Sequence, residues 1–375
     1  MDLSAEDALR LNVLLANDLH AVRIDESAMV VHGYSARGES AVRLNPNCRD
    51  DPYIKRVREM LSSHVLGSPG GYPIYLRRWT RMGQARDDSL EKLLLLGEPE
   101  AVVAVVHARG LTNELARRAW WTMPTPDNAR KMLARSCVAQ DTMGPVLAQF
   151  LVEYLPFEVE PQALIESVRL VLQPGLIDAE VRTRIWAKGR MKNTYYVGFL
   201  LAIPDDLPET PAPHPLWETA GPVLRELAAA GNCYAAQLGR ILDAPGQAFI
   251  VTTEAVLRKP NDQDVVVALV EAIQAYFAQI ACPGPRLQDI DVIMAQAESR
   301  CAGCECDQGA LPTLLERLPD LRPQVRAMLT LSAVGEPLLA PVFARTDAIG
   351  SVMRRKLEPL TGPLLAELAV LRGGH

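Results

Sequence analysis

From residue 88 onward the sequence breaks into short segments with helical periodicity, and a proline or a glycine separates most of them from the next. Pro99 and Pro145 suit the first turn of a helix, and Thr112 and Thr125 are suitable N-caps. Pairs of short helices joined by such turns are typical of HEAT-like arrays, in which each pair buries its apolar face against its neighbours. Because no regular repeat can be aligned, the sequence predicts either an irregular array or a compact irregular helical domain.

The sequence pattern of the first 85 residues differs from that of the rest and predicts a small α+β unit. Ser4 and Asp7 resemble a capping box at the start of a helix. Short β-branched runs separated by turn residues then indicate an antiparallel meander. The expected elements are a helix over 5–18, strands over 21–25, 28–34 and 40–45, a helix over 52–65 and a strand over 72–79.

The predicted fold class is therefore mainly α: a small N-terminal α+β unit followed by an irregular HEAT-like, α-solenoid-like array of short helices. A low aromatic share of 5% favours helix-on-helix packing over an aromatic-rich β-sandwich. The expected divisions are an α+β unit over 1–85, a helical array over 86–203, a proline-rich loop or linker over 204–216 and a continued array over 217–375.

Charge and cysteine content bear on compartment and partners. A net charge of −6 provides no general attraction for nucleic acid or anionic lipid, so proteins or small molecules are the expected partners. The start MDLSAEDALRLN lacks the basic and apolar regions of a secretory signal, and no apolar run is long enough to cross a bilayer. Seven mostly scattered cysteines suit reduced thiols. These features predict a cytoplasmic protein without membrane contact.

Common catalytic signatures are absent from the sequence, which has no phosphate loop, dinucleotide fingerprint, HExxH helix or GxSxG elbow. No catalytic residue is therefore predicted, and a non-enzymatic role is favoured. One basic, aromatic-interleaved strip could bind single-stranded nucleic acid, although a charged, solvated strand edge is the preferred interpretation. The strip comprises Tyr72, Tyr75, Arg77, Arg78, Trp79, Arg81 and Arg86.

The segment CAGCEC, with Cys301, Cys304 and Cys306, is the clearest chemical feature. Three thiolates could bind zinc or an iron–sulfur cluster, but a helix following Cys282 would keep that cysteine too far away to be a fourth ligand. Two neighbouring thiols could instead perform redox chemistry or carry sulfur, favoured by Arg300 and opposed by the acids nearby. A surface loop without a chemical role is the third interpretation, and no cofactor is predicted.

The stretch AWWTMPTPDNARKML (119–133), within a similar segment over 89–133, resembles the DsrS proteins encoded with the dissimilatory sulfur oxidation system of sulfur-storing bacteria. This resemblance implies a cytoplasmic accessory or regulatory protein that supports oxidation of stored sulfur, with proteins of that machinery as partners. The family carries no catalytic signature to transfer. It does, however, imply a sulfur substrate for the thiols of the cysteine cluster.

Overall fold

The computed structural model describes residues 3–73, 88–282, 287–303, 309–344 and 350–373. The chain divides into two compact units, Met1–Tyr154 and Leu155–His375. The predicted mainly α class, with a small N-terminal sheet and an array of short helices, is confirmed. Divisions at 85, 203 and 216 stay a prediction.

The first unit combines one antiparallel sheet with a series of helices. Its strands are β1 (Leu19–Asp25), β2 (Val30–Ser35) and β3 (Gly38–Arg43), and its helices are α1 (Ala5–Leu15), α2 (Asp50–Leu66), α3 (Asp88–Leu93), α4 (Pro99–His107), α5 (Asn113–Thr122), α6 (Pro126–Leu133), α7 (Ser136–Ala139) and α8 (Met143–Tyr154). Of the strand predicted over 72–79, residues 72 and 73 are helical, so the prediction is wrong there, and residues 74–79 lie outside the described residues.

The sheet has the order β1-β2-β3, and both pairings are antiparallel, as the sequence predicts. Val22 of β1 pairs with Gly33, and Val31 of β2 pairs with Val42. Val22 and Val31 are fully buried in one core with apolar residues of α1 and α2. This hydrophobic face holds the two helices against the sheet.

The buried carboxylate of Asp7 links α1 to α2 and to the segment that follows β3. Ser4 caps α1 by accepting a hydrogen bond from the Asp7 amide at 3.2 Å. The Asp7 side chain accepts from the Asn45 amide at 2.8 Å and from the Tyr53 hydroxyl. Asp7 thus serves long-range structure in addition to its place in the first turn of α1.

Helices α4, α5 and α6 begin where the sequence predicts. Thr112 accepts a hydrogen bond from the Leu115 amide, and Thr125 accepts one from the Asn128 amide. Pro99 occupies the first turn of α4, and Gly97 just before it has a φ of +63°. Local capping chemistry therefore sets these boundaries.

In the described residues of the second unit, all regular secondary structure is helical. Its α-helices are α9 (Pro161–Val171), α10 (Ala179–Lys188), α11 (Thr194–Ala202), α12 (Trp217–Ala229), α13 (Cys233–Leu242), α14 (Ala244–Arg258), α15 (Gln263–Tyr276), α16 (Ile290–Cys301), α17 (Ala310–Arg317), α18 (Arg322–Ser332), α19 (Ala340–Phe343) and α20 (Gly350–Arg372), with 3-10 turns at Leu155–Phe157, Ala278–Ile280, Pro319–Leu321 and Glu336–Leu338.

Helices α9, α11 and α15 pack against one another at the start of this unit. Gly198 of α11 allows a close approach to α9, because an added Cβ would lie 2.6 Å from Cβ of Val168. Most of α11 is buried, namely Thr194, Tyr195, Val197, Gly198, Phe199 and Leu200. The three helices therefore form one layer with α11 largely covered.

A proline-rich segment connects α11 and α12 along the surface of the unit. Arg240 of α13 forms two hydrogen bonds to Asp205, at 2.7 and 2.6 Å, and stacks over the Tyr276 ring at 3.8 Å. Near the other end of the segment, His214 is 3% exposed, and its backbone amide donates to the carbonyl of Leu242 in α13 at 2.9 Å. Two anchors therefore hold this segment to the helices.

Within the described ranges, every helix is too short or too polar to span a lipid bilayer.

Candidate functional site

Cys301, the described member of the predicted thiol cluster, is the last residue of α16 and is buried. Burial raises the pKa of its thiol, and the Glu298 carboxylate raises it further. The nearby guanidiniums of Arg322, Arg300 and Arg326 lower this pKa without offsetting burial. Cys301 is consequently a protonated thiol at neutral pH and a poor nucleophile.

Cys304 and Cys306 lie outside the described residues, so the complete cluster stays a prediction. Cys282 is exposed, and α16, at 12 residues, is about 18 Å long. The described ranges contain no group of three or more His, Cys, Asp or Glu side chains that could hold a metal ion.

The sequence did not indicate which parts of the chain lie beside Cys233. Cys233 is the exposed first residue of α13. On one side, the Asn232 amide group donates to the Ala310 carbonyl at 2.7 Å; on the other, the Tyr234 hydroxyl accepts from Arg300 at 2.9 Å. Residues on both sides of Cys233 thus contact the chain before and after the segment that holds Cys304 and Cys306.

Most of the predicted basic strip lies outside the described residues: Tyr75, Arg77, Arg78, Trp79, Arg81 and Arg86. Its described member, Tyr72, donates its backbone amide to Glu98 at 2.9 Å. Burial raises the pKa of the Glu98 carboxyl, although this hydrogen bond and Arg58 act in the opposite direction. Glu98 therefore anchors the backbone at Tyr72.

A cavity of about 630 Å³ in the first unit is lined in part by Thr122–Thr125, within the stretch that carries the family resemblance. Its charged groups are already engaged: Arg58 pairs with Glu26, and Arg23 stacks over the Trp121 ring. Asp25 accepts hydrogen bonds from Ser27 and Ala28. Few polar groups of this cavity remain available for a ligand.

A groove in the second unit differs in this respect. It lies between α9 and α15, is also lined by Leu201 of α11 and has a volume of about 260 Å³; we call it the α9–α15 groove. It is lined by Gln162, Ile165, Glu166, Arg169, Leu201, Asp264, Val267, Ala268 and Glu271. Helical spacing explains the set, since residues three or four apart share one face of a helix.

The floor and the rim of the α9–α15 groove have different chemistry. Ile165 is buried at the floor, and Val267 and Ala268 are half-buried there. Glu166, Arg169, Asp264 and Glu271 supply charges. Among the residues that the structure describes, none of these four side chains has an ion-pair or hydrogen-bond partner. Three carboxylates and one guanidinium give the groove an excess of negative charge.

Comparison with models of protein families, with characterised proteins and with solved structures found no match to this chain.

Proposed function

We propose that the protein is a non-catalytic accessory protein that binds a partner protein in the α9–α15 groove. The observation that carries this proposal is the combination, in one concave surface, of an apolar floor and charged groups without partners among the described residues. Arrays of short helices present such surfaces between neighbouring helices. Partner binding would supply the interactions that these side chains lack.

The resemblance of residues 119–133 to the DsrS proteins supports a cytoplasmic role beside the oxidation of stored sulfur. On this proposal the partners are proteins of the sulfur oxidation machinery, and the role is assembly or regulation. The absence of common catalytic signatures from the sequence favours this class of function over an enzyme.

Affinity capture from cells grown on reduced sulfur tests the proposal. The baits are the wild-type chain, a Glu166→Gln/Glu271→Gln variant and a control that loses the same charge elsewhere, Glu218→Gln/Glu358→Gln. We expect the wild type and the control to retain a sulfur oxidation protein that the groove variant loses. Equal recovery of the same proteins by all three baits, or no such protein with the wild type, contradicts it.

Sulfur transfer or thiol redox chemistry at Cys301, Cys304 and Cys306 is the second candidate function. The observation that favours it is the position of Cys233. Its neighbours in the sequence, Tyr234 and Asn232, contact Arg300 and Ala310, so Cys233 adds an exposed thiol near the part of the chain that contains Cys301. A thiolate there would attack a polysulfide sulfur, break an S–S bond, release a shorter polysulfide and retain one sulfur as a persulfide. Because Cys301 is buried and protonated, the attacking thiolate would be one of the others.

Intact mass after incubation with polysulfide separates this candidate from the first. Added sulfur on the wild type, reduced in Cys301→Ser/Cys304→Ser and in Cys233→Ser, would support it. No added sulfur, or equal addition to all variants, would count against it. Structural zinc or an iron–sulfur cluster is a third proposal, and metal in the purified wild type that is lost from Cys306→Ser would support it.

A further inference from the structure

The α9–α15 groove has the length and volume of a site for one long side chain. Gln162 to Arg169 spans about 10.5 Å along α9, and Asp264 to Glu271 spans the same length of α15. Pockets for drug-sized molecules usually hold about 300–1,000 Å³, above the roughly 260 Å³ found here. The dimensions therefore favour one side chain with its flanking backbone over a larger organic ligand.

The charge of the groove selects a cation. Glu166 lies on α9, while Asp264 and Glu271 lie on α15, so carboxylates face the groove from both walls. Some exposed acids elsewhere in this unit are paired with arginine, as in Arg317–Glu226 at 3.1 Å and Arg322–Glu298 at 3.0 Å. The groove acids have no such partner within the described part of the chain, so a positively charged group from outside would complement them.

Arginine suits this surface better than lysine. A planar guanidinium can donate to carboxylates on two walls at once, whereas an ammonium acts as a point charge. Its methylene stem would cover the apolar floor at Ile165, Val267 and Ala268. Arg169 also lines the groove and repels any incoming cation, so it lowers the net attraction that the three carboxylates provide.

We propose that the α9–α15 groove recognises a single arginine side chain in an exposed segment of the partner protein, and this proposal rests on the proposed function. Glu166 and Glu271 act as acceptors for the guanidinium from opposite walls. The apolar floor holds the stem and adds selectivity against small inorganic cations.

Methyl NMR of the full chain tests this recognition without the partner. The probe is a short capped alanine peptide with one central arginine, and the comparison peptide has the neutral isostere citrulline. We expect the arginine peptide to shift the methyl signals of Ile165, Leu201 and Val267 saturably, and the citrulline peptide to leave them unchanged. Equal shifts with both peptides, or none with either, overturn the proposal.

The same titration on two variants identifies the acceptors. Glu166→Gln/Glu271→Gln should weaken peptide binding roughly tenfold, since two charge-assisted contacts are lost. The control Glu218→Gln/Glu358→Gln should retain the wild-type affinity. Equal weakening in both variants would show that the protein's net charge, and not the groove, determines peptide binding, and it would contradict the proposed site. If the peptide binds as expected but capture finds no sulfur oxidation protein, the proposed function fails while arginine recognition stands.

Discussion

Gly198 provides a direct test of how closely α9 and α11 pack beside the groove. In Gly198→Ala, the new Cβ would lie 2.6 Å from both Cβ and Cγ1 of Val168 and 3.2 Å from the Ile165 carbonyl oxygen. Because Val168 Cβ is fixed to the backbone, the helices must move apart to relieve the contact. Overpacking of this kind costs about 1–3 kcal/mol.

Gly239 is the matched control, since it also lies inside a helix of the second unit. In Gly239→Ala, the nearest atom to the new Cβ is Leu224 Cβ at 3.7 Å, an ordinary contact. Alanine stabilises a helix interior by about 1 kcal/mol relative to glycine. That gain applies to both substitutions, so the difference between the variants measures overpacking at Gly198 alone.

Thermal unfolding followed by circular dichroism measures this difference. One kcal/mol shifts the Tm of a unit of this size by roughly 2–4 °C. Gly239→Ala should raise the Tm, and Gly198→Ala should unfold several degrees below it. If both variants rise equally, α9 and α11 are not in close contact at Gly198 and the reasoning fails.

Three further substitutions, with Ser4→Ala as a comparison, test polar groups that are buried or half-buried. Burial lowers the pKa of His214 below 6.5, so the unfolded state binds the proton more tightly than the folded state does. The stability of the wild type should therefore fall as pH drops through 6.5. In pH-dependent unfolding, His214→Gln should show a smaller fall. Asp7→Ala removes the hydrogen-bond acceptor of the Tyr53 hydroxyl and of the Asn45 amide. Urea unfolding should show that the free energy of unfolding falls by about 2–4 kcal/mol in Asp7→Ala and by about 1 kcal/mol in Ser4→Ala. Burial raises the pKa of the Glu98 carboxyl above 4.5, so the stability of the wild type should decline as pH rises through the folded-state pKa. Glu98→Gln can still accept the hydrogen bond from the Tyr72 amide and should remove this decline in pH-dependent unfolding. An unchanged pH profile in the variant would contradict the prediction.

Local signals in the sequence predicted much of the fold. Thr112 and Thr125 cap helices as expected, because a side-chain oxygen satisfies an amide within three residues. The three strands of the first unit also follow from β-branched runs between turn residues, with ends displaced by one or two residues. Such features depend on near neighbours, so a single sequence contains them.

Contacts between residues that are far apart in the sequence could not be predicted from such local signals. Asp7 looks like a helix-start acid, yet its carboxylate also binds Asn45 and Tyr53. The groove combines Glu166 with Asp264 and Glu271, which are about 100 residues apart in the sequence and are brought together by the packing of α9, α11 and α15. Cys233 likewise gains its place from contacts that Asn232 and Tyr234 make far along the chain.

Site-specific photo-crosslinking tests most directly whether the α9–α15 groove is the docking site. A photoreactive amino acid replaces Gln162 at the groove or, as the control, the exposed Ala255 of α14, in cells grown on reduced sulfur. The account predicts that position 162, but not 255, becomes attached to a sulfur oxidation protein through a peptide that contains arginine. Capture of the same proteins in equal yield from both positions would contradict it.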